Sequence, residues 1–390
     1  MTRFSSLRYF CFPPRWFCVV FVFVVLFATY GTAHPNVASA RPPKFKIIGY
    51  VFNRANIYGI SAEKLTHINY AFALVSRDGE IVLTNPDASA RLSQLQALKA
   101  KNPSLKIIVS VGGWGADNFS DAALSDESRD KFAKSAVGLI KSYALDGIDL
   151  DWEYPGQPGP GIKYRPEDKE NFTYLLKTLR QQIDALSNDR KRKGADRYTL
   201  TIASAAGDYF EHTEMDKLHV YLDWINIMTY DFYTSSAKTT GHHTGLYQSL
   251  SAGGSNSYAE ASVKQHLEAG IPSTKLVVGA AFYGRSFSRV NPENNGLYQP
   301  YEHYAGQHSY SVLARDFINK QGFKRLWDDA AKAPYLWNAD SATFITYDDP
   351  ESLKAKAEFV KSYRLGGIMY WEHSHDPDEL LLSTIFESLR

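Results

Sequence analysis

Cysteine is nearly absent from this chain: there are two, Cys11 and Cys18, both close to the N-terminus. That pair cannot staple a domain together or furnish a thiolate metal site within it, so the fold must be held by its core. An excess of either charge is also lacking. Lys and Arg number 43 against 42 Asp and Glu, a net charge of +1, which leaves no electrostatic case for a nucleic acid or an anionic membrane as partner. No glycine-rich phosphate loop follows any strand candidate. The local histidine clusters, His242-His243 and His373-x-His375, have no Cys or carboxylate partner at a recognised metal spacing, so neither a metal nor a cofactor is expected.

Long apolar runs are confined to residues 16–30. At about 15 residues this run falls short of the roughly 20 needed to span a bilayer. Arg3, Arg8 and Arg15 precede it, and Ala38-Ser39-Ala40 follows as a small-x-small cleavage site before Arg41. The segment 1–40 reads as an export leader, with Arg41 as the first residue of a secreted, extracellular protein that has no stable membrane association; an uncleaved anchor is the alternative. Both cysteines would leave with the leader. Asn118-Phe119-Ser120 and Asn171-Phe172-Thr173 become glycosylation acceptors if the secretory route is eukaryotic.

Aromatic residues, by contrast, are plentiful: 25 Tyr, 22 Phe and 7 Trp, 14% of the chain. Their flat faces suit either an aromatic core or the C–H faces of sugar rings, and composition does not choose between them. At 44% hydrophobic the chain can bury one large core. Eight short apolar runs recur, at 46–52, 67–74, 106–113, 147–154, 200–206, 224–231, 275–284 and 366–372. Helical patterns lie between most of them, at 128–143, 166–187, 257–269 and 350–364. The last starts with Asp349 as N-cap and Pro350 at the first helical position. This alternation predicts an α/β fold, a (β/α)8 barrel; the doubly wound open sheet is the alternative.

One spacing breaks the alternation. Between the seventh strand and the helix at Pro350 lies a stretch far longer than an ordinary connection, with Tyr298, Tyr301, Tyr304, Trp327, Tyr335, Trp337 and Phe344 among its own aromatic residues. It predicts a small α+β insertion between strand 7 and strand 8 over 289–345, the barrel comprising 41–288 and 346–390. No internal repeat and no Ser/Thr/Pro-rich linker points to a separate binding module.

The densest chemistry lies in Asp146-Gly147-Ile148-Asp149-Leu150-Asp151-Trp152-Glu153-Tyr154-Pro155. On a β-strand Asp149, Asp151 and Glu153 leave one face, about 6 to 7 Å apart, while Ile148, Leu150 and Trp152 leave the other. Like charges at that spacing in a sheltered site repel. Repulsion and desolvation together favour protonation of at least one, which is what a general acid near neutral pH requires.

This run, with Asp146, Asp149, Asp151 and Glu153 in the acidic places of Asp-x-x-Asp-x-Asp-x-Glu followed by Tyr-Pro, resembles the signature of the family 18 glycoside hydrolases, the chitinases. Other strand ends support the resemblance. Ser110-Val111-Gly112-Gly113-Trp114 places Trp114 at a sugar-stacking position, and Met228-Thr229-Tyr230-Asp231 is similar to the family's Met-x-Tyr-Asp element. Tyr283 and Arg285 match groove residues, Trp371 matches the tryptophan that floors the sugar at the cleavage point, and Tyr50, Phe72 and Tyr154 join the substrate-binding set. The insertion would form one wall of a deep groove.

The resemblance implies a secreted, monomeric chitinase. Its substrate would be chitin or chito-oligosaccharides, cleaved with retention by a substrate-assisted route. Glu153 would be the general acid and base, Asp151 would orient the substrate's 2-acetamido group with Tyr230 bonding its oxygen, and Asp149 would share a proton with Asp151. The alternatives are an endo-N-acetylglucosaminidase on glycans or peptidoglycan, and a catalytically silent chitin-binding lectin.

Overall fold

The computed structural model describes residues 45–390 except Arg54, so the leader, its two cysteines and the start expected at Arg41 lie outside the described residues. Eight parallel strands form the centre: β1 (Lys46–Phe52), β2 (His67–Val75), β4 (Lys106–Gly112), β5 (Gly147–Asp151), β6 (Thr199–Ser204), β7 (Trp224–Ile227), β8 (Leu276–Ala281) and β14 (Gly367–Trp371). β1 pairs with both β14 and β2, which closes the sheet into a barrel, and the short β3 (Ile81–Val82) adds antiparallel to β2. Helices pack outside it, among them Asp126–Tyr143, Asp168–Asp189, Ala259–Glu268 and Pro350–Ser362.

The two-sided pattern of β5 is what inserts it into this architecture. Ile148 and Leu150 are fully buried in the core between barrel and helices, and Trp152 stacks on Phe119 at 5.3 Å with its edge to Phe172. Asp149 faces the barrel interior, where Ile48, Tyr50, Ile108, Trp224, Val277 and Met369 form a separate apolar cluster. Asp146, just before the strand, is an anchor: it accepts the Ile107 N–H and pairs with Lys99 at 2.6 Å and Arg192 at 3.0 Å. At the other end β4 must pass closely over Asp151. A Cβ on Gly112, whose φ is +122°, would lie 2.0 Å from the Asp151 carbonyl oxygen, so only glycine fits there.

The insertion is a five-stranded antiparallel sheet in the order β10 (His303–Ser309), β9 (Tyr283–Ser288), β13 (Thr343–Thr346), β12 (Ala333–Asn338), β11 (Lys324–Asp328). Its own apolar core holds Phe287, Leu297, Tyr335, Trp337 and Phe344. The run expected to be one strand, 275–284, is two. The barrel pairing ends at Ala281 opposite Trp371, and from Tyr283 the chain pairs instead with β10 and β13. An unbroken apolar run carries no local mark of that change of partner.

Asp349 caps the helix Pro350–Ser362 as its sequence suggests, accepting the N–H groups of Glu351 and Ser352 at 3.0 Å each. Beside it, Lys356 is wholly buried. Its ammonium donates to Asp348 and to Thr244 Oγ1, both at 2.6 Å, and Asp348 also accepts the Ala281 N–H. This ion pair joins the end of β8, the exit from the insertion and the long segment after β7. Removing one partner of such a pair strands a buried charge, so Lys356→Met should cost about 3–5 kcal/mol. Combining it with Asp348→Asn should recover much of the loss, as read from urea unfolding midpoints at constant m.

Candidate active site

The C-terminal ends of the barrel strands open into a cleft of about 1330 Å³. At its base Asp149 is fully buried, and strand register explains its surroundings. Ser110 on β4 and Thr201 on β6 are its lateral neighbours. Both hydroxyls donate to it, at 2.8 and 2.5 Å, as do the Tyr50 hydroxyl of β1 at 2.8 Å and the Asn226 amide of β7 at 3.3 Å. Burial raises the Asp149 pKa despite these four donors.

Asp151 comes next. Its Oδ1 is buried with no hydrogen-bond partner. Burial first, then the charges of Glu153 and Asp149, push its pKa well above the usual carboxylate range. Glu153 lies just past the end of β5, at the cleft surface. Burial lifts its pKa to about 7, against a partial opposing pull from the Tyr154 hydroxyl, and the Asp231 charge adds to the rise. The site is therefore a column of three carboxyls in which proton-holding is favoured at every level.

Around this column the cleft is lined by Phe72, Trp114, Tyr154, Met228, Tyr230, Asp231, Tyr283, Arg285 and Trp371. Trp371 is flanked by Phe72, stacked at 5.5 Å, and by Phe52 at 5.9 Å. Trp114 stands 67% exposed at the rim with its edge toward Tyr154. Tyr50 does not line the cleft: it is 2% exposed and sits beneath Trp371, its hydroxyl committed to Asp149.

A second charged cluster forms the wall on the insertion side. Asp231 Oδ1 accepts the Tyr283 hydroxyl and Arg285 Nε, both at 2.6 Å, and lies 3.5 Å from His243 Nδ1. Burial pushes this carboxyl up, but His243 and Arg285 outweigh it and hold its pKa well below the usual range. Asp231 is thus a permanent anion, whereas Glu153 is poised to carry a proton. Arg285 Nη1 also donates to Tyr304 of β10, which ties the cluster to the insertion.

Four of these residues carry no sequence signal of their role: Ser110, Thr201, Asn226 and His243. Serine and threonine in a strand read as ordinary fillers, and only register places them on Asp149. Among the described residues no group of three or more His, Cys, Asp or Glu is arranged to hold a metal ion, and no helix is long and apolar enough to cross a membrane.

The placement of Tyr50 has a kinetic consequence. Tyr50→Phe removes one donor from Asp149 without touching the cleft, so kcat should fall with KM little changed, whereas loss of a sugar contact would raise KM. Steady-state kinetics separates the two, and the lost buried bond should cost about 1–3 kcal/mol of stability.

The chain is similar to chitinase A1 of Niallia circulans, 38% identical over 86% of this chain and 57% of that protein. To chitinase B of Serratia marcescens it is 32% identical over 83% of this chain and 76% of the relative. It thus spans little more than half of the first of these proteins. Among solved structures it resembles a glycoside hydrolase family 18 N-acetylglucosaminidase from Paenibacillus barengoltzii, with 41% identity, a TM-score of 0.82, and coverage of 88% of this chain and 100% of that one. Residues 46–376 match the model of the glycosyl hydrolases family 18, and with the closed barrel and the Asp149-Asp151-Glu153 column at its mouth the chain belongs to that family.

Proposed function

We propose that this protein is an exported chitinase that hydrolyses β-1,4 linkages between N-acetylglucosamine units of chitin and chito-oligosaccharides, retaining configuration with help from the substrate's own acetamido group. The observation that carries the reading is the orphaned Asp151 Oδ1, a buried acceptor with no donor that stands between Asp149 and Glu153. A 2-acetamido N–H is a donor of the right kind, and a buried acceptor gains most from the partner it lacks.

In the first step the acetamido carbonyl oxygen attacks C1, the C1–O bond breaks, and Glu153 gives its proton to the departing oxygen. Asp151 accepts the acetamido N–H, orienting the carbonyl and stabilising the positive charge of the cyclic oxazolinium intermediate, while Tyr230 bonds the acetamido oxygen. Asp149 shares a proton with Asp151 and so adjusts its charge. In the second step Glu153, now a carboxylate, takes a proton from water as the water attacks C1 and the ring opens. Two inversions give net retention. The aromatic lining, Trp371 above all, fits the apolar faces of the sugars, and the curated relatives named chitinases support the choice of polymer. Export rests on the leader-like segment 1–40.

Three expected outcomes test this reading. Chito-oligosaccharides should yield the β-anomer first in an NMR time course and fully deacetylated oligomers should resist cleavage; early α-anomer would exclude the acetamido route. Glu153→Gln should bind oligomers normally while turnover drops by roughly 10²–10⁴, the usual worth of a positioned general acid. Because Glu153 must begin protonated and its pKa is about 7, kcat/KM should hold on the acid side of that value. Above it kcat/KM should fall about tenfold per pH unit, a limb that Glu153→Gln should abolish.

A further inference from the structure

The near-balance of charge over the whole chain conceals a separation of charge in space. Three segments, 98–106, 139–146 and 187–197, hold nine Lys and Arg against three Asp, whereas the rest of residues 45–390 holds 29 Lys and Arg against 39 Asp and Glu. These segments lead into β4, β5 and β6, which lie side by side in the barrel. Side-chain bonds join them into one surface. Asp146 pairs with Lys99 of the first segment and Arg192 of the third, Lys106 reaches Asp196 at 3.2 Å, and Gln96 donates to the carbonyls of Tyr143 and Ala144 at 3.1 and 2.9 Å. Arg197 is likewise committed, to Asp223. The other five cations, Lys101, Lys141, Arg190, Lys191 and Lys193, are exposed and form no ion pair among the described residues. This basic face lies at the end of the barrel away from the catalytic column, for Asp146 immediately precedes the first residue of β5 and Asp151 is its last.

We infer that this basic end of the barrel docks, reversibly and by charge alone, on a bilayer of anionic lipids and leaves the cleft at the opposite end free. Charge complementarity supplies the attraction: each Lys or Arg near an anionic lipid surface strengthens partition about fivefold, and five are exposed without a carboxylate of their own. None of the large hydrophobic side chains that are exposed on this protein lies in the three segments. The face therefore carries nothing to drive into the acyl region and no exposed ring on which single units of a polymer would stack, so it suits a plane of charged headgroups. Its position favours the same occupant. β1 runs parallel to β2 and β14, so Lys46 starts its strand at this same end, and the apolar run 16–30 is joined to the barrel there. A chain brought to a bilayer by that run meets it with this face.

The test is co-sedimentation of the exported protein with vesicles of phosphatidylcholine alone and of phosphatidylcholine with an equal share of phosphatidylglycerol. At low ionic strength the protein should partition onto the anionic vesicles and not the neutral ones, and added salt should release it. Lys191→Gln with Lys193→Gln should lower the partition coefficient roughly 25-fold, two charges at the worth given above, while Lys191→Arg with Lys193→Arg should bind as the wild type does. Lys324→Gln with Lys354→Gln removes the same net charge from the insertion and the helix that follows it, and should change binding less than about twofold, since charges remote from the contact are screened. All these side chains are exposed, so melting temperatures should match. Equal binding to both kinds of vesicle, or none to either, would overturn the proposal, as would an equal loss in the two Gln pairs. Retention on a linear sulfated polysaccharide without partition onto anionic vesicles would also overturn it, and would give the face to a soluble polyanion instead.

Discussion

A carboxyl inside a barrel has no counter-ion to lean on, and everything at this site depends on how Asp149 is accommodated there. Its four donors come from four strands, β1, β4, β6 and β7. Those strands share one carboxylate only because the sheet is closed, so closure is a chemical requirement as much as a packing solution. The arrangement is also a graded one. Asp149 is saturated with donors, Asp151 has an oxygen with none, and Glu153 reaches the cleft. Above Asp149 the protein partners are few, which leaves more for a substrate to supply.

The electrostatics divide the site into two regimes. Burial raises all three pKa values of the column, and at Asp151 the charges of Glu153 and Asp149 add to the rise. Asp231 lies in the same cleft but against Arg285 and His243, and its pKa moves the other way. Its fixed negative charge in turn helps keep the Glu153 proton in place. The insertion thus does more than deepen a groove. By presenting Arg285 from its own sheet, it joins His243 in holding ionised a carboxyl that bears on the acid.

Much of this is legible in the amino-acid sequence because it is local. The alternation in 147–153 reveals which residues face inward, and Asp349-Pro350 marks a helix start through capping chemistry that involves only the next few residues. What is not legible depends on register and on partners distant in the chain. Tyr50 reads equally well as a sugar contact or as a core residue, and only the pairing of β1 with β2 and β14 turns its hydroxyl toward Asp149. The division of 275–284 into β8 and β9 is invisible because both halves are apolar and their partners differ. His243 looks like half of a surface pair, yet its ring is fully buried against Asp231.

Trp114 holds a different kind of information. Most tryptophans in a folded domain have surrendered their hydration, as Trp152 and Trp224 have here, but Trp114 remains 67% exposed. The residue lies in the turn just after β4, in contact with Tyr154. What a ligand would displace is chiefly water, and removal of apolar surface from water leaves a negative change in heat capacity. The rim of the cleft therefore stores a thermodynamic signature: the temperature dependence of the binding enthalpy, rather than its value at any one temperature, reports whether a sugar has covered that face.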